Sequence, residues 1–529
     1  MPANRRQLLQ GSLAAPAALA AAPAAALPVH DIRAFGAVAD GATLNTRVLQ
    51  QAIDQAAREG GGVVFVPPGN YLTGTFQIKD NVTLYLEAGA TIQASKDRKD
   101  YQHACLVYAE NALNAAIRGR GSIDGNGPAF WKRERGRWTI GGWRPARLAQ
   151  FVRCENLLLE DLTFRNSPAW TIHPVDCDRL AIRGISILNG ISDEDHGPNT
   201  DGINPDGCTR VRISDCYIQS GDDSIVLKIT RRPGGNRTCR DITVTNCVLI
   251  TKETALKIGS ETYGEFRNIA FSNCAIRDAG CGIGLWMRDG GVIDGWTVSN
   301  ISMTLTGGGQ PVYMTSYPRS RLPEAGAVPD EEKPPGVVRN ITISNVTAEA
   351  DGAVFLSGMA ERPLEAITLE NIRITMRGGR EKKLHADPPQ PFPVWGHRQS
   401  PYDIFCRYVD DLKLRHIQLT WSAPEQAQWG SAIRCRHVSN LEIDGFTGRQ
   451  SLPADTAAIW LRDTNSALIH NCRAAQGAKV FLHLDQGAAD VSLMNNDLGA
   501  AKRMVTFGAG VDPRELYEAG NRPPRAREA

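Results

Sequence analysis

Apolar residues recur along most of the chain at positions i, i+2, i+5 and i+7. Leu157/Leu159/Leu162/Phe164 is followed by Leu180/Ile182/Ile185/Ile187, Val211/Ile213/Cys216/Ile218, Ile242/Val244/Cys247/Leu249, Ile269/Phe271/Cys274/Ile276 and Trp296/Val298/Ile301/Met303. Looser copies begin at Ile341, Ile367, Leu412 and Leu441. Within each copy the period is two, broken once by polar residues such as Ser214-Asp215 or Thr245-Asn246. Each copy therefore predicts two short strands about a bend, and helical spacing does not fit. The first six copies start 23 to 31 residues apart, and copies that share one inward pattern predict a stacked coil with a continuous core. The expected fold class is all-β, a single-stranded right-handed parallel β-helix.

Before the repeat, residues 32–36 read as a strand. Residues 45–58 have helical periodicity in Val48, Leu49, Ala52, Ile53 and Ala56, stopped by Gly60-Gly61-Gly62. A helix there covers the open end of the coil and protects its edge. The first strands of the coil are read in Val63-Val64-Phe65-Val66 and Val82-Thr83-Leu84-Tyr85-Leu86. Residues 311–335 and 388–401 are rich in Pro and charge and lack periodicity. They read as loops that leave the coil, either to shape a cleft or as solvated excursions. The expected division is a leader over 1–26, the coil over 27–505 and a tail over 506–529, with 521–529 disordered.

Length alone would suggest about three or four domains, but a solenoid grows by adding coils, so one unit is expected. The net charge of +2 falls to zero without Arg5 and Arg6, and nothing suggests nucleic acid. Asn4-Arg5-Arg6-Gln7-Leu8-Leu9, followed by an Ala-rich run ending in Ala24-Ala25-Ala26, reads as a twin-arginine export signal. The mature chain is then periplasmic or secreted, and no later stretch is apolar and long enough to span a bilayer. Among the 12 Cys, Cys216, Cys247 and Cys274 share one position of the repeat, and Cys154, Cys177, Cys208 and Cys239 share another. Such ladders fit buried packing, with disulfides as the alternative in an exported protein. No Cys-x-x-Cys or His-x-x-x-His pair points to a metal.

Asn199-Thr200-Asp201-Gly202 and Ser220-Gly221-Asp222-Asp223 carry the candidate chemistry. Asp201 and Asp223 are 22 residues apart, about one coil, so aligning Asp201-Gly202-Ile203 with Asp223-Ser224-Ile225 stacks the two carboxylates about 4.8 Å apart. Asp222 joins them only if the backbone bends at Gly221, since neighbours in a plain strand face opposite ways. Clustered carboxyls raise one another's pKa, and glycoside hydrolysis needs one protonated acid and one or more carboxylates. The alternative is that these Asp residues simply cap turns.

The runs Asn199 to Asp206 and Ser220 to Lys228 resemble the motifs of glycoside hydrolase family 28, the polygalacturonases and their relatives. Ile123-Asp124-Gly125-Asn126-Gly127 and Ser167-Pro168-Ala169-Trp170-Thr171-Ile172-His173-Pro174 are similar to the family as well, and the resemblance runs from about residue 31 to 303. It implies an inverting hydrolase of pectic polysaccharide that needs no cofactor and no metal, with Asp222 as general acid and Asp201 and Asp223 holding the attacking water. The substrate-binding residues expected around them are Asn199, Lys228, Thr254, Lys257, Trp286, Arg288 and His196. A carbohydrate is the expected partner, with neither nucleic acid nor membrane, and the protein is expected to be a monomer.

Two departures bear on the substrate. The family usually carries a Gly-His-Gly segment before Ile-Gly-Ser, whereas Ile258-Gly259-Ser260 here follows Lys252-Glu253-Thr254-Ala255-Leu256-Lys257. Its Arg-Ile-Lys segment is replaced by Gly284-Leu285-Trp286-Met287-Arg288. Trp286 offers a sugar-stacking face or packs under a loop, and a neutral sugar competes with galacturonate unless Lys257 or Arg288 reaches a carboxylate. His196 either lines the cleft or belongs to a solvated loop, and His173 is expected to satisfy a structural hydrogen bond. A polysaccharide lyase and a noncatalytic carbohydrate-binding coil are the other readings, and endo or exo action is left to the loops.

Overall fold

A computed structural model describes residues 28–192, 195–235, 238–321, 334–378, 384, 386–388 and 399–524. The chain winds into a right-handed parallel β-helix, the hand that parallel crossovers almost always take. Three strand ladders run its length. One stacks Leu158–Glu160, Asp178–Arg183, Thr209–Ser214 and Thr238–Thr245 in parallel register, and a second stacks Thr163–Arg165, Ser186–Leu188, Tyr217–Ser220 and Val248–Thr251. The third, which carries the site, includes Trp170–Val175, Ile225–Ile229, Thr254–Thr262, Cys281–Met287 and Gln310–Ser316.

The break within each repeat is a left-handed residue. Asp215, Asn246, Asn273, Asn300, Asn345 and Asn371 have φ of 52–58°, a conformation that Asn and Asp adopt more readily than other side chains. Stacked Asn amides tie the bends together: Asn300 Nδ2 donates to Asn273 Oδ1 at 3.0 Å and Asn345 Nδ2 to Asn300 Oδ1 at 3.0 Å. The repeat's apolar positions are buried, Leu180, Ile182, Val211, Ile213 and Ile218 completely. All 12 cysteines are buried free thiols, so the ladders are packing and the disulfide alternative falls away.

The cap helix Thr46–Arg58 buries Leu49, Ala52, Ile53 and Ala56 against the first coil. The strand expected over 32–36 is instead the short 3-10 turn Ile32–Phe35, because the Asp31 side chain accepts from Arg33 N and bends the chain at once. The loop expected from residue 311 starts later. Gln310–Ser316 is a full strand paired with Cys281–Met287, and residues 322–333 lie outside the described residues. Of the second expected loop, Gln399 Nε2 donates to Gly308 O at 2.7 Å, while 389–398 lie outside the described residues. The coil also passes the boundary expected at 505: Leu516–Ala519 pairs with Ala489–Met494, and Arg522 N donates to Asn496 O at 2.8 Å. Residues 521–524 are thus part of the fold. The leader read over 1–26 and the last five residues lie outside the described residues.

Candidate active site

Ile203 bridges Ile225 in parallel register, and Gly202 N donates to Asp223 O at 2.9 Å. Two residues upstream of the bridge, Asp201 therefore stacks on Asp223. Asp222 turns to the same side because the backbone bends after Tyr217–Ser220: Ser220 Oγ and Thr251 Oγ1 both donate to Asp222 O, at 2.8 and 2.5 Å. A Cβ on Gly221 would lie 2.4 Å from Thr200 Oγ1 and 2.6 Å from Gly197 O, so this bend requires glycine. One carboxylate oxygen from each of Asp201, Asp222 and Asp223 then lies within 4.8 Å of the others.

The three acids differ in their support. Asp223 is the best compensated, with Thr254 N donating to Oδ1 at 3.2 Å and Lys257 Nζ to Oδ2 at 2.7 Å. Asp201 Oδ2 accepts from Asn204 Nδ2 at 3.1 Å. Burial, followed by the neighbouring charge of Asp222, pushes the Asp201 carboxyl well above the usual range. Burial and the charge of Asp223 raise Asp222 as well, and its Oδ2 has only a long contact with Asn199 Nδ2 at 3.5 Å.

These acids open into a cavity of about 350 Å³ between two tryptophans. On the Trp170 side, Lys228 Nζ lies 4.8 Å from the ring centroid and 3.0 Å from Glu261 Oε2. On the Trp286 side, Lys257 Nζ lies 4.5 Å from the ring centroid. Burial opposes ionisation of Glu261, but Lys228 and Arg319 outweigh it and hold the carboxyl down to about 2. The aspartate trio has the oxygens of a cation site, yet the Lys257 ammonium already supplies the positive charge beside it. Among the described residues Glu442, Asp444 and His470 form another such cluster, with acceptors taken by Arg415 and Asn471.

Asn199, Lys228, Thr254, Lys257 and Trp286 line this cavity with the three aspartates. Arg288 does not. It is 1% exposed, and its guanidinium donates inward to Met287 O, Thr315 O and Thr315 Oγ1 at 3.3, 3.2 and 2.8 Å; burial lowers its pKa to about 10. His196 also lies off the cavity lining, backed against Gly221 on the short hairpin of Gly190–Ser192 and Asp195–His196. Trp286 lines the cavity although it is only 3% exposed, and it packs not under a loop but at the head of a buried stack of strand residues, Trp286–Tyr313–Phe355–Phe405, with centroids 5.1, 5.2 and 5.1 Å apart. Glu253, Ser260 and Glu261 also line the cavity and were not anticipated. Glu261 had a usable signal, an opposite charge about one coil after Lys228.

A second cavity of about 530 Å³ adjoins the first, sharing Trp170 and Asn199 with it. It is lined further by Trp143, Arg144 and Arg147, none of which the sequence singled out.

Residues 62–388, more than half of the chain, match the profile of Glycosyl hydrolases family 28. The chain belongs to glycosyl hydrolase family 28. It is thereby a glycoside hydrolase by family. A probable polygalacturonase of Vitis vinifera is 37% identical over 216 residues, a match that covers 37% of this chain and 43% of that protein. An endo-polygalacturonase of Pectobacterium carotovorum subsp. carotovorum is 24% identical, with 62% of this chain and 84% of that one covered. Among solved structures, an exopolygalacturonase from Thermotoga maritima superposes with a TM-score of 0.54 and 25% identity, over 66% of this chain and 88% of that one. Within the family 28 match lie both Asp segments and Thr254, whose backbone N, not an imidazole, supports Asp223.

Proposed function

We propose that the protein hydrolyses glycosidic bonds in pectic polysaccharide or in oligosaccharides derived from it. The observation that carries this reading is the meeting of three carboxylates from two adjacent coils at a cavity walled by Trp170 and Trp286. Asp222 acts as the general acid: it is the most accessible of the three, its pKa is raised, and it lines the cavity. Asp201 and Asp223 hold the water. Nearest oxygens within 4.8 Å leave less room than a water between an acid and a single base ordinarily takes. Family 28 membership supports a water held jointly by Asp201 and Asp223 beside Asp222, and inversion rests on that resemblance. Attack from that pair as Asp222 protonates the leaving oxygen inverts the anomeric centre.

Family membership and the relatives named above support a pectic substrate. The leading Arg5-Arg6 and the Ala-rich run that follows support export through the twin-arginine route, and the chain acts as a monomer. The test is incubation of the purified protein with pectic polymers and oligosaccharides. New reducing ends without ultraviolet-absorbing unsaturated ends, lost in Asp222→Asn, are expected. Unsaturated ends would establish a lyase instead, and binding without cleavage a noncatalytic coil.

A further inference from the structure

Far from the aspartates, the outer face of the third ladder carries a second concentration of charge. Lys257, Gly284, Tyr313, Phe355, Phe405 and Arg434 stand in register on successive coils, so the intervals of about 4.8 Å put Arg434 roughly 24 Å from Lys257 along the axis. Tyr313, Phe355 and Phe405 are at most 1% exposed and belong to one buried cluster with Tyr317, Met359 and Tyr402. An aromatic wall therefore separates the catalytic cavity from the coil of Arg434.

Beyond that wall the column continues as Arg434, Trp460 and His483, and the column two residues further along each strand runs Arg407, Arg436 and Arg462. Residues two apart on a strand share a face, and the alternate residues Ile433, Cys435, Ile459 and Leu461 are buried in the core. Like charges on adjacent strands repel unless counter-ions offset them. Asp387 accepts from Arg407 at 3.3 Å and from Arg436, and Asp463 lies 3.8 Å from Arg436 and 3.6 Å from Arg462. Asp485 accepts from Trp460 Nε1 at 3.2 Å. Arg434 has no such carboxylate. It is 7% exposed, its guanidinium lies 4.1 Å over the Trp460 ring, and its buried Nη1 has no hydrogen-bond acceptor among the described residues. Nε of Arg436 and Nε of Arg462 also lack acceptors there. Four arginines against Asp387, Asp463 and Asp485 leave one positive charge over, on a face that holds a half-buried tryptophan.

We propose that this face is a second, noncatalytic binding site for an acidic oligosaccharide, whose carboxylates pair with Arg434, Arg436 and Arg462 while a sugar ring lies on Trp460. A carboxylate is planar and accepts two parallel N–H donors, the geometry that a guanidinium offers. Coils about 4.8 Å apart repeat at nearly the length of one pyranose unit, so a linear glycan with carboxylates on successive rings meets a cation on successive coils. Trp460 supplies the apolar ring face that a sugar uses and a bare inorganic anion does not. The site keeps an acidic polymer attached at a distance from the aspartates, a role that does not depend on what they cleave.

The test is calorimetry on the full-length Asp222→Asn protein, which removes turnover, with trigalacturonate, its carboxyl-reduced form and inorganic sulfate as probes. The trimer is too short to bridge the two sites. A binding event lost, or weakened at least about tenfold, in Arg434→Gln and in Trp460→Ala is expected, the effect of one charge-assisted contact, and the reduced trimer should lack that event. Arg462 has a side chain 37% exposed, so Arg462→Gln leaves the core untouched and should weaken the same event even if the other variants fail to fold. With Asp222 intact, the three substitutions should leave kcat/KM on a short cleaved oligosaccharide unchanged. Retention of every binding event in all the variants overturns the inference, as does an equal loss for the charged and reduced trimers. Sulfate that displaces the trimer with equal affinity would reveal a simple anion site and no glycan site. A parallel fall in kcat/KM would make this face part of the catalytic cleft and overturn the inference as well.

Discussion

Lys257 Nζ lies 2.7 Å from Asp223 Oδ2 with both side chains nearly closed to solvent, at 9% and 4% exposure. The ammonium is the only formal positive charge touching the aspartate trio among the described contacts, and it stands where the family resemblance led one to look for an imidazole nearby. Removing it leaves a buried carboxylate uncompensated, which for such pairs costs about 3–5 kcal/mol. Lys257→Met is expected to lose stability on that scale and to cut kcat at least about tenfold. Lys257→Arg should recover part of both. Denaturant midpoints together with kcat on a cleaved oligosaccharide check this, and a Met variant with unchanged kcat would remove Lys257 from the catalytic account.

The raised carboxyls of Asp201 and Asp222 set the pH profile. The acid must carry its proton, so activity is lost as pH rises through the raised value, and the basic limb is expected above the ordinary carboxylate range. Asp222→Asn should lower kcat by about 10²–10⁴-fold, and Asp223→Asn comparably. Asp223→Asn removes the charge that, after burial, raises Asp222, so its residual activity is expected to have a basic limb shifted to lower pH. A basic limb near pH 4 in wild type would contradict the assignment.

Gly284 sets the position of Trp286. A Cβ there would lie 2.2 Å from Trp286 Cζ3 and 2.7 Å from Thr254 Cγ2, so the indole lies folded across the glycine. Gly284→Ala must push the ring outward, at a cost of about 1–3 kcal/mol for overpacking. The expected result is a raised KM with a smaller change in kcat and an altered tryptophan emission spectrum. Unaltered emission and KM would show that the ring does not form the sugar-facing wall.

What the sequence revealed and what it hid divide along physical lines. The coil was legible because the burial pattern repeats and the bend must be left-handed, so Asn246 or Asn273 marks it directly. The stacking of Asp201 on Asp223 followed from spacing alone. Pro311 misled because proline in a strand costs one ladder bond, yet Gln310 and Val312 on either side pair normally with Cys281 and Ile283. Arg288 misled because alternation gives the side of a strand but not the path of a long side chain after its end. Arg144 and Arg147 carry no local signal, since only folding brings Arg144 to Asn199, 55 residues away.

His173 accepts from Arg147 Nε at Nδ1, at 2.9 Å, and faces Asp206 Oδ2 from Nε2, at 3.2 Å, an arrangement that suits the neutral ring protonated at Nε2. Burial dominates and lowers its pKa to about 4, against the pull of Asp206. A histidine depressed in the folded state takes up its proton first in the unfolded chain. Its contribution is therefore complete above about pH 6.5 and is lost as pH falls toward 4, by about 3 kcal/mol in all. The difference in unfolding free energy between wild type and His173→Gln should shrink over that window. A difference that stays flat with pH would mean that His173 is not held neutral.

Asp403 predicts the opposite slope. It is 0% exposed, and neither carboxyl oxygen has a hydrogen-bond partner among the described residues. Burial, reinforced by the charge of Glu425, pushes its pKa well above the ordinary value. Below about pH 4 both folded and unfolded chains carry the proton. As pH rises further the unfolded chain ionises while the folded one does not, so the folded state loses ground up to the raised pKa. An unsatisfied buried polar group costs about 1–3 kcal/mol in addition. Asp403→Leu, of similar volume and without the polar atoms, is expected to stabilise the protein at neutral pH, with a gain that shrinks as pH approaches 4. Denaturant unfolding of both proteins across that range checks the sign, and a destabilised Leu variant at neutral pH would show that Asp403 has a partner to satisfy.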